Sequence, residues 1–230
     1  MEAIILAGGF GTRLREVVPD LPKPMALVAG RPFLEVLLTS LARKGLRRAV
    51  LSLGYMADKV VVHFGDHFAG IELVYEIELE PLGTGGALRQ ALSRCNRDHA
   101  FVFNGDTYLD LGMQDVEVHW QKHRMPIIVA LEVLDTARYG RLDTDRERVI
   151  GFIDKGIVGP GLINAGCYVL PTDILNDFPL GEPFSLEADF LAKSVDKQRF
   201  DLFVTNGHFI DIGVPEDYVR AQTELAGVCL

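Results

Sequence analysis

Residues 3–25 read AIILAGGFGTRLREVVPDLPKPM, and the fold is built outward from this stretch. The apolar run over residues 3–7 is short, which is typical of a buried strand in a parallel sheet. It leads into a glycine-rich loop over residues 8–11, where backbone N–H groups can approach an anion because no Cβ stands in the way. Arg13 and Lys23 add positive charge nearby. The stretch therefore predicts a site that holds a triphosphate.

The same residues argue against two common kinds of phosphate-binding loop. A Walker loop ends in Gly-Lys-Ser/Thr, and no such triplet follows Gly11. A dinucleotide loop, G-x-G-x-x-G, needs a third glycine where this chain has Arg13 and Leu14. A dinucleotide-dependent oxidoreductase is therefore the weaker alternative. Arg13 can form a fork to phosphate oxygens, and Lys23 is held between two prolines that constrain its approach.

The first hundred residues alternate between strand-like and helix-like patterns. Further strands are predicted at residues 49–53, 71–77 and 99–103, and helices at residues 33–44, 57–64 and after the loop at 83–86. Such alternation predicts an α/β fold, a Rossmann-like three-layer αβα arrangement with a mostly parallel central sheet.

Three loops of this pattern follow predicted strands, at residues 8–13, 83–86 and 104–106. In parallel sheets, ligands bind at the carboxyl ends of the strands. We therefore expect these loops to converge on one crevice.

The pattern changes after Asp106. A helix is predicted at residues 113–123 and another from Ser185 towards residue 195, with a closing helix that has Pro215 in its first turn. Strands are predicted at residues 127–134, 139–143, 149–153, 162–170, 200–205 and 209–213. This half is expected to form a smaller, mixed-sheet portion of one domain that spans residues 1–230.

Composition limits the kinds of partner. The chain has 230 residues, 48% of them hydrophobic, with a net charge of −9 and an isoelectric point near 5.1. An acidic chain argues against nucleic acid as a partner, although a local basic site can still bind a nucleotide. Cys95, Cys167 and Cys229 are too widely spaced for a zinc ribbon or a disulfide framework. The chain shows neither an apolar run of about 18 residues nor a signal peptide, so no membrane partner and a cytoplasmic location are expected.

Asp106 and Asp211 each follow an apolar strand run. A carboxylate at a strand end beside a phosphate loop is a natural Mg²⁺ ligand, because Mg²⁺ favours hard oxygen donors together with substrate phosphates. The alternative is that each aspartate caps a neighbouring helix or turn.

Other candidates have equally simple structural interpretations. Lys155 fits a surface turn, and Asn164 fits a bulge in a strand. Glu187 fits the acidic first turn of a helix. The pairs His63/His67 and His119/His123 have a spacing that can hold zinc, but no third ligand is evident, so solvated helix faces are expected.

The motifs themselves resemble those of a known family. They are Leu6–Leu14, Pro22–Met25, Glu80–Ala87, Asn104–Asp106, Asn164–Gly166 and Ile210–Tyr218. In this order, and over nearly the whole chain, they resemble the sugar-1-phosphate nucleotidyltransferases, which join a nucleoside triphosphate to a sugar 1-phosphate. Within that family, the wording of residues 80–87 and 164–169 is most similar to guanylyltransferases acting on heptose 1-phosphate, which implies GTP.

The resemblance implies a role for each matching residue. Residues 1–110 would mainly bind the NTP and residues 111–230 the sugar phosphate, with Mg²⁺ as cofactor. The implied nucleotide-binding residues are Leu6, Ala7, Gly8, Gly9, Gly11, Thr12, Arg13, Leu82, Gly83 and Asp106. The implied sugar-phosphate-binding residues are Lys23, Gly105, Lys155, Asn164, Gly166 and Glu187. Arg13, Lys23 and Asp106 would be catalytic, and Asp106 and Asp211 would hold the metal.

Two departures from the family pattern concern the sugar more than the reaction. Asp154 stands where many relatives have Glu, and Val214 replaces a common Thr. A mannose 1-phosphate guanylyltransferase, a uridylyl- or thymidylyltransferase and a binding-only regulator of the same fold remain alternatives. A homodimer is expected.

Overall fold

One ten-stranded sheet runs through the computed structural model, which describes residues 1–9 and 21–228. The strands are β1 (Glu2–Ala7), β2 (Leu27–Val28), β3 (Arg31–Pro32), β4 (Arg48–Leu53), β5 (His67–Phe68), β6 (Ile71–Ile77), β7 (His99–Asn104), β8 (Thr107–Leu109), β9 (Ile127–Val133), β10 (Arg141–Asp145), β11 (Arg148–Ile153), β12 (Gly161–Pro171), β13 (Phe200–Thr205) and β14 (Phe209–Asp211). The helices are α1 (Phe33–Arg43), α2 (Ala57–Phe64), α3 (Gly83–Leu92), α4 (Met113–His123), a π-helix (Leu186–Leu191), α5 (Ala192–Ser194) and α6 (Pro215–Glu224), with a 3₁₀ turn at Lys23–Met25.

The strand order is β10-β11-β13-β9-β12-β7-β1-β4-β6-β5. The central strands β7, β1, β4 and β6 are parallel, whereas β12 is antiparallel to both β7 and β9. The predicted α/β class, with a parallel portion and a mixed portion, is confirmed. The two portions are continuous, because β12 pairs with β7 on one side and with β9 on the other.

Two apolar clusters lie on opposite faces of this sheet. Along β1, Ile5 belongs to the cluster that includes residues of α1, α2, α4 and α6. Its neighbour Ile4 belongs to the cluster that includes residues of α3 and the π-helix. Successive side chains of a strand point to opposite faces, so one strand serves both cores. This confirms the three-layer arrangement.

Helix positions follow the sequence signals closely. The predicted bounds of α2 and α4 agree with the structure, and Pro215 is the first residue of α6. Pro is favoured there because its missing N–H would have no helical partner anyway. No helix in the described ranges is long and apolar enough to cross a membrane.

The segment after Ser185 differs from the prediction. Ser185 caps it as expected, since its Oγ accepts the N–H of Ala188 at 3.1 Å. The backbone that follows is a π-helix rather than an α-helix, and only residues 192–194 are α-helical. The predicted strand at residues 139–143 is shifted to Arg141–Asp145, because Thr136 to Tyr139 form a turn.

The cysteines within the described ranges are free thiols. Cys167 is buried, and burial raises its pKa; burial also raises the pKa of Cys95 to about 12. Neither thiol is therefore a ready nucleophile at neutral pH. Cys229 lies outside the described residues.

Candidate active site

A cavity of about 320 Å³ opens at the carboxyl ends of β1 and β7. It is lined by Leu6, Ala7, Gly8, Gly9, Lys23, Pro24, Glu78, Pro81, Gly83, Thr84, Ala87, Asn104, Gly105 and Asp106. They include residues of the three segments that the sequence predicted would converge, although residues 83–86 form the first turn of α3 rather than a loop. Lys23, Pro24, Glu78, Pro81 and Ala87 lie outside those segments. That prediction is confirmed for the described parts of the loops; Gly11, Thr12 and Arg13 lie outside the described residues.

Strand register explains why the loops meet. Leu6 of β1 stands opposite Asn104 of β7, and the Gly105 N–H donates to the Leu6 carbonyl at 2.8 Å. A Cβ added to Gly105 would lie 2.8 Å from the Cβ of Ala7. Only glycine therefore allows the β7 loop to close against β1 at this point.

Glu78 is a cavity residue that was not among the sequence candidates. It follows β6 directly, and its Oε2 accepts the backbone N–H of Leu82 at 3.1 Å. Burial raises the pKa of this carboxyl, and the hydrogen bond from Leu82 opposes that effect. Gly8 faces it so closely that an added Cβ would collide with the carboxylate. An acid at a strand end was the signal that identified Asp106, and it applied equally to Glu78.

Leu82 and Gly83 occupy different positions relative to the cavity. Gly83 lines it, with a φ of +68° that suits glycine. Leu82 is buried and does not line the cavity, but its backbone N–H donates to the Glu78 carboxylate.

Lys23, Asp106 and Asp211 form a charged group beside the cavity. Lys23 makes an ion pair with Asp106, and their side chains are 15% and 34% exposed. The short β8–β14 pair places Asp211 opposite Thr107, and the Ile212 N–H donates to the Asp106 carbonyl at 3.0 Å. The two aspartates are therefore neighbours, although far apart in sequence.

The electrostatics of this group suit a divalent cation. Burial raises the pKa of Asp211, and the charge of Asp106 raises it further, while Lys23 opposes the shift. Two partly buried carboxylates beside a single ammonium leave negative charge incompletely balanced. Carboxylate oxygens are the donors that Mg²⁺ prefers, so Asp106 and Asp211 fit the expected metal.

Asn164 and Gly166 lie in a bulge of β12, where the register with β9 shifts. Asn164 donates through Nδ2 to the hydroxyl of Tyr168 at 2.7 Å and accepts the Gly166 N–H at 3.1 Å. Gly166 has a φ of +66°, and a Cβ there would lie 2.5 Å from Nδ2 of Asn104. The alternative of a bulge is thus confirmed, and the bulge also packs against a residue that lines the cavity.

Glu187 reaches the cavity through Thr84. Its Oε2 accepts the Thr84 hydroxyl at 2.9 Å, and the Thr84 oxygen accepts the N–H of Leu186 at 2.9 Å. Lys155 is not brought to the cavity. It lies on the exposed turn after β11 and makes no hydrogen bond or ion pair within the part of the chain that the structure describes.

The expectation for the second histidine pair is wrong. His119 and His123 do not form a solvated face, because both contact Asp201, a fully buried residue of β13. For the first pair, only His63 lies on a helix, where it faces Glu35 at 3.5 Å; His67 is exposed on β5.

Known proteins are similar to this chain in sequence and in fold. A family model described as Nucleotidyl transferase matches residues 2–227. The chain therefore belongs to the nucleotidyl transferase family, as its motifs predicted.

Two relatives and one solved structure are similar over nearly full length. The D-glycero-alpha-D-manno-heptose 1-phosphate guanylyltransferase of Aneurinibacillus thermoaerophilus is 41% identical, covering 98% of both chains. The protein of the same name from Campylobacter jejuni is 42% identical, covering 95% of this chain and 97% of its own. The crystal structure of HddC from Yersinia pseudotuberculosis complexed with GMP-PN is 41% identical, with a TM-score of 0.85 over 96% of this chain and 97% of that chain.

Proposed function

We propose that this nucleotidyltransferase transfers GMP from GTP to D-glycero-α-D-manno-heptose 1-phosphate, giving GDP-heptose and pyrophosphate for surface polysaccharide synthesis. The observation that carries the proposal is the meeting of Lys23, Asp106 and Asp211 beside a cavity whose wall also carries Glu78. The names of two relatives above 40% identity support the choice of sugar and nucleotide.

The nucleotide is assigned to residues 1–110. Leu6 to Gly9 and Gly83 line the cavity, and Leu82 holds Glu78 from below. Gly11, Thr12 and Arg13 continue the loop and are proposed to hold the triphosphate. In this assignment a guanidinium at Arg13 stabilises the departing pyrophosphate, since it presents a fork of donors to phosphate oxygens.

Glu78 is proposed to read the base. Guanine presents two adjacent donors, its ring N1–H and its exocyclic amino group, and an ionised carboxylate can accept from both. Uracil and thymine present a single N–H between two carbonyl oxygens, which a carboxylate repels. The position of Glu78 in the cavity wall therefore supports GTP over UTP or dTTP.

The sugar phosphate is assigned to residues 111–230 together with Lys23 and Gly105. Glu187 is joined to the cavity through Thr84, and Gly166 through Asn104. Asn164 supports this wall through Tyr168. Lys155 is proposed to grip the sugar phosphate from its exposed turn, where its ammonium is free of described partners.

The chemistry requires no general base, because a sugar phosphate oxygen is already an anion at neutral pH. That oxygen attacks the α-phosphorus of GTP, and the P–O bond to pyrophosphate breaks as the new bond forms. No histidine or cysteine is among the described residues that line the cavity. Holding two anions in line is the main task, and positioning of this kind can contribute about 7–11 kcal/mol.

The charged group beside the cavity is proposed to neutralise the negative charge of the reacting phosphates. Lys23, which pairs with Asp106 beside the cavity, is proposed to donate to the phosphate oxygens as negative charge develops on them. Asp106 and Asp211 would hold Mg²⁺, which when bound offsets the charge of the α-phosphate.

Steady-state assays test the substrate assignment. Pyrophosphate release is measured for GTP, UTP, dTTP and ATP, each with heptose, mannose and glucose 1-phosphates. The highest kcat/KM is expected for GTP with the heptose 1-phosphate. A higher value with mannose 1-phosphate or UTP would overturn the assignment. Absence of release from every pair, with tight binding of GDP-heptose, would identify a binding-only regulator.

A cytoplasmic location and a homodimer are proposed with this activity. Nucleoside triphosphates are cytoplasmic metabolites, and the thiols of Cys95 and Cys167 are free. Light scattering of the purified chain tests the dimer.

A further inference from the structure

A second group of ligand-type side chains lies far from the cavity. His119 and His123 are on the last turns of α4, and Asp201 is the second residue of β13. The Nε2 atom of His119 lies 2.8 Å from Oδ2 of Asp201, and the Nδ1 atom of His123 lies 2.9 Å from the same oxygen. All three atoms lie within 4.8 Å of one another.

From these contacts we propose that His119, His123 and Asp201 form a binding site for a divalent transition metal, zinc foremost, that ties α4 to β13. Imidazole nitrogens and a carboxylate oxygen are a donor set suited to Zn²⁺ and neighbouring borderline cations, whereas Mg²⁺ prefers oxygen alone. Three protein ligands leave one tetrahedral position for water.

The distances suit such an ion after a small adjustment. Zinc bonds of about 2.0–2.1 Å place neighbouring ligand atoms of a tetrahedron about 3.3 Å apart. The two nitrogen–oxygen distances of 2.8 and 2.9 Å would have to open by about 0.5 Å. The histidine side chains are 21% and 23% exposed, so an ion and its water can enter from solvent.

The surroundings hold the carboxylate in place. The other oxygen of Asp201 accepts from Nε of Arg199, which fixes the carboxylate orientation and leaves Oδ2 for the ion. Partners of this kind, one bond away from the metal, orient its ligands. The guanidinium of Arg199 is half exposed, so water screens its charge from a bound cation.

The site is separate from the cavity. Asp201 pairs with Ile127 at the beginning of β9, and β9 runs in the same direction as β7 because β12 is antiparallel to both. The group therefore lies at the amino ends of the strands, and the cavity lies at the carboxyl ends. Occupying it should stabilise the fold without touching substrate.

A cobalt titration tests the proposal on the untagged full-length protein. The chain is stripped with a chelator, the chelator is removed, and Co²⁺ is added in the presence of excess Mg²⁺, which competes with Co²⁺ for the aspartate pair of the cavity. Ligand-field absorption should rise to one equivalent, and Zn²⁺ should abolish it and raise the Tm. H119Q and H123Q should each weaken Zn²⁺ binding by about 100-fold or more and remove the Tm shift.

H67Q is the matched control, because it removes an exposed histidine outside this group. It should bind Zn²⁺ like the wild type. Without zinc, H119Q should retain the wild-type transfer rate, which shows that the variant is folded. Absence of stoichiometric binding in the wild type, or equal affinity in H119Q and the wild type, would overturn the proposal.

Discussion

At the scale of single residues, the proposed reaction depends most on Asp106, since it pairs with Lys23 and lies next to Asp211. The Asp106→Asn variant should lower kcat/KM by about 1,000-fold or more, because the amide is a poor metal ligand and no longer balances Lys23. Its Tm should stay close to that of the wild type, since the Asp106 side chain is 34% exposed. Initial rates and thermal unfolding measure both.

Asp110→Asn is the matched control for that variant. Asp110 lies just after the same loop and β8, and its 57% exposed side chain makes a surface ion pair with Lys44 at 2.6 Å. Such pairs contribute about 1 kcal/mol or less. The variant should therefore keep the wild-type rate. An equal loss in both variants would show that any charge change in this region abolishes activity.

Glu78→Gln tests the reading of the base. The amide offers one acceptor and one donor, so one of the two guanine donors loses its partner. The ratio of kcat/KM for GTP to that for UTP should fall by about 10- to 100-fold, equivalent to about 1–3 kcal/mol. Glu80→Gln, on an exposed position of the same loop, should leave the ratio unchanged. A ratio that stays constant in Glu78→Gln would refute this role.

The ionised side chain of Asp211 is expected to destabilise the folded protein when no metal is bound. Because the pKa of Asp211 is raised by burial and by Asp106, folding favours its protonated form. That favourable contribution is present below the pKa of an unfolded aspartate and is lost as the pH rises through the folded pKa. In metal-free protein, Asp211→Asn should therefore raise the Tm at neutral pH, by about 2–4 °C per kcal/mol of relieved cost.

The gap between Asp211→Asn and the wild type should close below about pH 3, where the aspartate is neutral in both states. Calorimetry across pH follows it. An Asn variant that unfolds below the wild type at neutral pH would contradict the electrostatic reading.

At the scale of elements, the bulge in β12 joins strand geometry to the cavity. Gly166→Ala places a Cβ on a backbone with a φ of +66° and against Asn104. The left-handed backbone alone costs about 1–2 kcal/mol. Gly70→Ala has a comparable φ of +79° and open space around it, so it isolates that cost. Only Gly166→Ala should also lower kcat/KM; equal kinetics in the two variants would separate the bulge from the site.

Most helices and strands could be predicted because their signals are local. The period of α4 and the proline of α6 fix both helices without reference to the rest of the chain. The strand β14 was predicted within residues 209–213, whereas β8 has too few residues to show a period. The pairing of the two strands, which brings Asp211 to Asp106, is a long-range contact that no local pattern marks. The π-helix after Ser185 could not be predicted either, because the capping serine marks where a helix begins but not which type of helix follows.

At the scale of the whole molecule, the two sites lie at opposite ends of the strands of one sheet. The cavity at the carboxyl ends of the strands could be predicted from motifs, because each motif ends a strand and parallel strand ends share an edge. The contacts of Asp201 with His119 and His123 could not, since 82 and 78 positions separate the partners. Only the packing of α4 beside β13 brings them together.

Product stoichiometry tests the central claim most directly. Wild-type and Asp106→Asn proteins are incubated with Mg²⁺, GTP and D-glycero-α-D-manno-heptose 1-phosphate, and GDP-heptose and pyrophosphate are quantified by mass spectrometry and a coupled assay. The wild type should form the two products in equal amounts, and Asp106→Asn should form neither at a comparable rate. Hydrolysis of GTP without GDP-heptose, or equal formation of GDP-heptose by both proteins, would contradict the account.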